Sequence, residues 1–278
     1  MALRLMYITN RPEIAHIAEQ AGVDRIWVDL EYIGKSDRQG GMDTVQNRHT
    51  AEDVANIAGT VTASQVLVRV NPIHEALPDY FSSEDEINTV ISNGADVVML
   101  PFFKTPQEVE RFIRDVDGRA KTQLLLETPE AVDCLDDILS VGGIDEVHIG
   151  LNDLSLGYHR KFMFELLADG TVERLMEKLH RAGVACGFGG VGRPGSGTLP
   201  ADYILGEHVR LGSETVILSR SFCNTTLVTD LSEITRTFRE GVADIRRVER
   251  ECQAWTDEQF GQNHQCVVDC VRKIVQGM

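Results

Sequence analysis

Two carboxylates stand where an apolar run stops. Leu124-Leu-Leu-Glu127-Thr-Pro-Glu-Ala and His148-Ile-Gly-Leu-Asn-Asp153-Leu-Ser are strand-like stretches that end abruptly in an acid. If the runs are neighbouring parallel strands, Glu127 and Asp153 emerge side by side at one rim of a sheet. Paired oxygen ligands at such a rim suit a hard divalent cation, Mg2+ or Mn2+ with Co2+ as a further option, that keeps positions open for water and substrate. The competing reading is that Glu127 caps a helix beginning near Pro129 and Asp153 caps the turn that follows, as carboxylates often do.

The elements that must position these acids repeat in a regular order. Short β-rich runs at residues 3–8, 25–30, 66–70, 97–100, 123–126, 146–149, 185–188 and 215–218 alternate with helical patterns at 12–20, 51–58, 84–92, 106–116, 129–139, 172–182 and 201–211. Nearly continuous apolar strands separated by helices argue for a parallel sheet buried on both faces. The pattern predicts an α/β protein built as a closed (β/α)8 TIM barrel, with an open doubly wound sheet second. No Pro/Ser/Gly tract divides the chain, so one domain over 1–278 is expected.

Residues 229–278 differ. Leu231, Ile234, Phe238, Val242, Ile245, Val248 and Cys252 recur at three- and four-residue steps, the mark of an amphipathic helix. Thr256-Asp-Glu-Gln259 then signals a capping box and a second helix toward Ile274. One helix finishes a barrel, so this C-terminal extension is expected to pack on a neighbouring subunit of a homo-oligomer or back on its own barrel.

Composition narrows the partners. The 278 residues are 42% hydrophobic and 25% charged, values of a soluble globular protein. No apolar run reaches membrane-spanning length and the start, Met-Ala-Leu-Arg-Leu-Met, has no signal-peptide layout, so a cytoplasmic protein is expected. A net charge of −16 disfavours nucleic acid and anionic membranes as partners. The cysteines are scattered without a disulfide framework, in keeping with a reducing compartment. Cys266 and Cys270, one helical turn apart amid Val267, Val271 and Ile274, read as a packed helix face rather than soft-metal ligands.

In a barrel, groups just after the strands converge on the carboxyl-end face. Those groups are Asp29 and Glu31 after the second strand, Arg69 within Leu-Val-Arg-Val-Asn71, Pro101 and Lys104 after the fourth, and then Glu127 and Asp153. An arginine inside an apolar strand is costly to bury without an anion, so Arg69 should face the site. A structural ion pair of Arg69 with Asp29 or Glu31 is compatible with that placement.

Trp27-Val-Asp-Leu-Glu31, Leu67-Val-Arg-Val-Asn71, Gly94-Ala-Asp-Val-Val-Met-Leu-Pro101, Leu126-Glu-Thr-Pro-Glu-Ala131 and Ile149-Gly-Leu-Asn-Asp-Leu-Ser155 together resemble the HpcH/HpaI aldolase and citrate lyase β-subunit family over about residues 1–225. The resemblance implies a pyruvate- or phosphoenolpyruvate-type barrel, a divalent metal on Glu127 and Asp153, and Arg69 beside the reacting carbonyl. It also implies an oligomer that exchanges C-terminal helices. The activity implied is class II aldol chemistry on a 4-hydroxy-2-oxo acid, through a pyruvate enolate stabilised by the metal and Arg69. Backbone amides of Gly150, Leu151 and Asn152 are candidates to hold the substrate carboxylate, with Glu31 also at the substrate and Asp29 in a catalytic relay.

The chain departs from the aldolases at one position. They carry Gly-Glu-His where this chain reads Asp29-Leu-Glu31-Tyr32, so the histidine expected as base is absent. Tyrosine, with an ordinary pKa of about 10, is a poor base at neutral pH. A longer polar segment, 34–50, ends in Asn47-Arg-His49-Thr, and His49 either folds over the site as base or begins the next helix on the surface. Asp-Leu-Glu also resembles the citrate lyase branch, which makes a CoA-ester lyase an alternative. A non-catalytic binding protein on the same scaffold is a third reading. The Gly187-Phe-Gly-Gly-Val-Gly192-Arg-Pro-Gly-Ser-Gly197 stretch lacks the βαβ context of a dinucleotide fingerprint and reads as a flexible lid, with phosphate binding by Arg193 and Arg220 the competing reading.

Overall fold

The computed structural model describes residues 2–34 and 49–278. Eight described strands follow one another around a closed barrel: β1 (Arg4–Ile8), β2 (Arg25–Asp29), β3 (Gln65–Arg69), β4 (Val97–Leu100), β5 (Lys121–Leu126), β6 (Glu146–Ile149), β7 (Ala185–Val191) and β8 (Thr215–Leu218). Pairing is parallel from β2 through β5, between β7 and β8, and between β8 and β1. The described helices are α1 (Pro12–Gln20), α2 (Ala51–Ala58), α3 (Ser83–Ser92), α4 (Pro106–Val116), α5 (Pro129–Asp133), α6 (Leu135–Leu139), α7 (Leu151–Gly157), α8 (Glu165–Ala168), α9 (Thr171–Arg181), α10 (Ala201–Arg210), α11 (Leu231–Gln253) and α12 (Asp257–Gly277). The fold is the (β/α)8 barrel expected from the alternation, with extra C-terminal helices. No helix among the described residues is long and apolar enough to cross a membrane.

Local chemistry sets the helix starts. Thr50 with Asp53, Thr105 with Glu108, and Thr256 with Gln259 form capping boxes on α2, α4 and α12, each supplying partners for two amides that the helix itself leaves unpaired. The helix expected over 129–139 is instead two short ones, because Cys134 takes φ −109° and ψ 23° and breaks the turn.

The chain divides into two compact units, Met1–Tyr7 with Gln20–Val23 and His148–Met278, and Ile8–Glu19 with Asp24–Val147. In the second unit, Ile26, Val28, Val66, Val68, Val98 and Leu100 bury the strands, and Phe112 of α4 is likewise fully buried. At the strand starts Arg25 donates from Nη1 and Nη2 to both oxygens of Glu146 at 2.5 and 2.7 Å, and from Nε to Gln65 Oε1 at 3.0 Å. That pair has almost no exposure, so each charge depends on the other.

In the first unit, α11 buries the expected stripe of Ile234, Phe238, Val242, Ile245, Val248 and Cys252, while Leu231 stays exposed. Phe238 meets the rings of Tyr7 and Phe222 edge-on at 4.8 and 5.5 Å. Within the single chain α12 packs on α10 and α8, through Asn263, Val267 and Val271. The buried Glu207 of α10 ties it down by accepting from Asn263 Nδ2 at 3.1 Å and pairing with His264 Nδ1 at 3.0 Å and Arg210 Nη2 at 2.8 Å. Burial alone would raise the Glu207 pKa, but the bonds from His264 and Arg210 outweigh it and hold the carboxyl below its ordinary value. The packed-face reading of the cysteines needs correcting: Cys266 is exposed and Cys270 only half-buried, because the face centred on Val267 and Val271 points elsewhere.

Candidate active site

Asp29 and Arg69 end neighbouring strands in register. The Arg69 guanidinium donates from Nε and Nη2 to the two oxygens of Asp29 at 2.7 and 2.8 Å, and its Nη1 lies 3.0 Å from Glu31 Oε2. Both acids are fully buried and Arg69 is 11% exposed. Trp27 sits on the same face of β2, its ring centroid 5.3 Å from the guanidinium carbon. Burial by itself would lower the pKa of Arg69, yet the charges of Asp29, Glu31 and then Glu127 hold it above the ordinary arginine value. The costly arginine of the apolar strand is thus compensated by carboxylates, and Glu127 lies within its electrostatic reach.

Glu127 follows β5, is 4% exposed, and accepts the Phe102 N–H on Oε1 at 3.1 Å. Its neighbour Thr128 is the cap of α5, accepting the Ala131 amide at 3.2 Å and donating to Phe103 O at 2.7 Å. The capping alternative for Glu127 therefore fails. Phe102 holds φ 49°, a left-handed conformation disfavoured for a bulky residue, at the position whose amide meets Glu127. Lys104, also expected at this rim, turns outward to a half-exposed pair with Glu130 at 2.8 Å.

Asp29 and Glu31 are fully buried against Arg69, and Glu127 is buried within its electrostatic reach. Carboxylate oxygens such as these are the donor chemistry of a hard divalent ion. The residues present fit a metal in that sense. Among the described residues no group of three His, Cys, Asp or Glu side chains stands ready to hold an ion.

Asp153 belongs to the other unit, buried in the first turn of α7. The N-cap of that helix is Gly150, which brings no side-chain cap, and Asp153 is the acid of its first turn. Leu151 is buried. Its Cδ1 lies 2.7 Å from where a Cβ on Gly189 would be. The stretch is strand rather than lid as far as Val191, where β7 ends, with an irregularity between Gly187 and Gly190, and residues 192–197 form a loop after it. A Cβ on Gly187 would stand 2.2 Å from Thr215 O. Arg193 lies 3.9 Å from Glu240.

His49 is half-buried, and its Nδ1 accepts the backbone N–H of Asp29 at 2.9 Å. Thr50, not His49, caps α2. The rest of the polar segment, 35–48, lies outside the described residues. Tyr32 is half exposed, and partial burial followed by the charges of Glu86 and Asp79 raises its pKa, the wrong direction for a base.

The sequence reading passed over Asn71, Tyr80 and Glu86. Asn71 Oδ1 accepts the amides of Tyr32 and Ile33, each at 2.9 Å, and its Nδ2 donates to Glu86 Oε1 at 2.9 Å. Tyr80 donates to the same oxygen at 2.9 Å and meets the Tyr32 ring edge-on at 5.2 Å. Burial pushes the Glu86 carboxyl up, against the bonds from Asn71 and Tyr80. Asn71 thereby fixes the turn that leaves β2; its place directly after Val-Arg-Val was the available signal.

Solved structures show the same fold at low identity. An HpcH/HpaI aldolase from Desulfitobacterium hafniense DCB-2 is 17% identical, with 86% of this chain and 93% of that chain covered and a TM-score of 0.61. An HpcH/HpaI aldolase/citrate lyase family protein from Burkholderia cenocepacia J2315 is 16% identical, with 84% and 94% covered and a TM-score of 0.59. A citrate synthase variant, SbnG, is 17% identical over 84% and 94%, with a TM-score of 0.58. No curated protein sequence matches the chain. The family model for HpcH/HpaI aldolase/citrate lyase matches residues 4–188, and the chain belongs to that family.

Proposed function

We propose that this chain is a divalent-metal-dependent class II aldolase/lyase that cleaves or forms a 4-hydroxy-2-oxo acid through a pyruvate enolate, with Glu127 and Asp153 as the protein ligands of Mg2+, Mn2+ or Co2+. Membership in a family of lyases supports the reaction class. The observation that carries the reading is the buried Asp29–Arg69–Glu31 cluster with Glu127 in its field.

When bound, the metal would supply Lewis acidity toward the substrate's carboxylate and keto oxygens. The chain's own residues do the rest. Arg69 places a fixed positive charge where negative charge develops on the enolate oxygen, an interaction stronger in the transition state than in the ground state. Asp29 holds two of its donors, so little reorganisation is needed as the carbon–carbon bond breaks. The Phe102 amide orients Glu127. Asp153 and the amides of Gly150, Leu151 and Asn152 are assigned to the ligand and carboxylate ends of the substrate. Tyr32 stays protonated and takes no part as base.

A CoA-ester lyase is the second reading, favoured by Asp29-Leu-Glu31 in place of Gly-Glu-His. Exchange of the pyruvate methyl hydrogens in D2O, followed by proton NMR with and without added metal, separates the two. Metal-dependent exchange that is lost in Glu127→Ala is the expected result. Absence of exchange with metal demonstrably bound would move the assignment to acyl-CoA substrates.

A further inference from the structure

Two thiols on α12 lie outside the packed face of that helix. Cys266 is exposed and Cys270 half-buried, four residues apart, while Asn263, Val267 and Val271 carry the buried side. We propose that Cys266 and Cys270 together form a dithiol site that closes on one trivalent arsenic centre, a property that goes beyond the lyase reading and does not depend on it. Residues four apart share one face of a helix and hold their Cβ atoms about 5–6 Å apart. A disulfide needs Cβ atoms about 3.5–4.5 Å apart. The pair is thus too wide for a direct S–S bond without distorting α12, and a single large atom between the sulfurs spans the difference.

The surroundings single out this pair. Tyr203 of α10 hydrogen-bonds Cys266, and its pKa is raised by the charge of Cys266, then by burial, by that bond and by Cys270, so both sulfurs lie beside one phenol. Cys270 Sγ lies 3.8 Å from Thr198 O, just ahead of the same helix. One turn of α12 therefore presents both thiols along the edge that meets the start of α10. Cys186, Cys223 and Cys252 are buried, and burial pushes their thiols up, Cys186 to about 12 and Cys252 to about 11, against the thiolate that attacks. Cys134 is half-buried, raised by burial as well, and its Sγ donates to Glu130 O at 3.2 Å. Among the described residues no group of three His, Cys, Asp or Glu side chains could hold an ion, so the pair is short of the four donors of a structural zinc site. An arsenic atom that already bears one organic group needs two sulfurs only. The step balances without an oxidant: with an arsenoso compound, R–As=O, two S–As bonds form, both S–H bonds and the As=O bond break, and the two protons leave with the oxygen as water. Arsenic stays trivalent and neither sulfur is oxidised.

Phenylarsine oxide is the probe. Equimolar reagent and folded full-length protein, followed by intact mass spectrometry and a count of free thiols, should give one phenylarsenic group per chain and the loss of two thiols. Attachment at two points should hold the group against excess mercaptoethanol, a monothiol, and release it to dimercaptopropanol, a dithiol. Removing either anchor abolishes the intramolecular second bond, so Cys266→Ser and Cys270→Ser should each retain the reagent about 100-fold less well in monothiol, while Cys134→Ser should match wild type. Circular dichroism of every variant, with Cys270→Ala beside Cys270→Ser, separates lost binding from lost folding. Release of the group from wild type by monothiol would overturn the site, as would full retention in either single variant or its loss in Cys134→Ser. Pyruvate exchange plays no part in this readout, so failure of the lyase reading would leave the result unaffected.

Discussion

His208 of α10 is fully buried, its ring stacked on Phe188 at 3.9 Å with 6° between the planes and its Nδ1 2.9 Å from Ser213 Oγ. Burial, and then the nearby His148, push its pKa down from 6.5 to about 3. The unfolded chain therefore binds a proton below pH 6.5 that the native protein refuses until near pH 3. This contribution to stability is complete above pH 6.5 and is lost progressively as pH falls toward 3. At about 1.4 kcal/mol per unit of pKa difference, lowering the pH from 7 to 5 should cost about 2 kcal/mol through this one group. His208→Phe is the matched perturbation. Phenylalanine keeps the stack on Phe188, and Ser213 Oγ keeps its bond to Thr215 O at 3.2 Å. Urea unfolding at pH 7 and pH 5, followed by far- and near-ultraviolet circular dichroism, should show wild type losing about 2 kcal/mol more than the variant, since carboxylates titrate equally in both. Parallel pH dependence of the two proteins, within about 0.5 kcal/mol, would refute the assignment of His208 as a buried neutral imidazole.

Two further outcomes follow from packing. Gly187→Ala drives a Cβ to 2.2 Å from Thr215 O, a backbone atom of the adjacent strand that has nowhere to go, and should cost about 3 kcal/mol, whereas Gly190→Ala, with Ile217 O at 3.2 Å, should cost distinctly less; thermal melts of equal size would contradict the contact. Arg25→Met takes from the buried Glu146 carboxylate the guanidinium that donates to both its oxygens and should lower stability by about 3–5 kcal/mol, while Arg25→Met with Glu146→Leu should recover most of it in urea titrations. A double variant no better than the single would mean that the pair itself, not the orphaned charge, supplies the stability.

The strand–helix alternation was legible because it is local: apolar runs, the Thr256–Gln259 capping box and the α11 stripe declare themselves within a few residues, and each reappears in the fold. Arg69 was legible for the same reason, since a charge in an apolar strand demands a partner, and Asp29 and Glu31 are that partner. What required tertiary structure was every question about which of two nearby groups takes a role. Thr128 rather than Glu127 caps α5 by accepting the Ala131 amide, its hydroxyl held also by a bond to Phe103 O, far away in sequence. The first part of the glycine run, through Val191, is strand rather than lid, with Thr215 and Leu151 pressed against Gly187 and Gly189. Cys266 is exposed because the orientation of α12 is set by Glu207 holding Asn263 and His264. His49 is turned onto Asp29 by a bond across the intervening segment. Periodicity reports which face of an element is apolar. Only the packed chain decides what each face meets, because hydrogen bonds and excluded volume act between residues that sequence distance keeps apart.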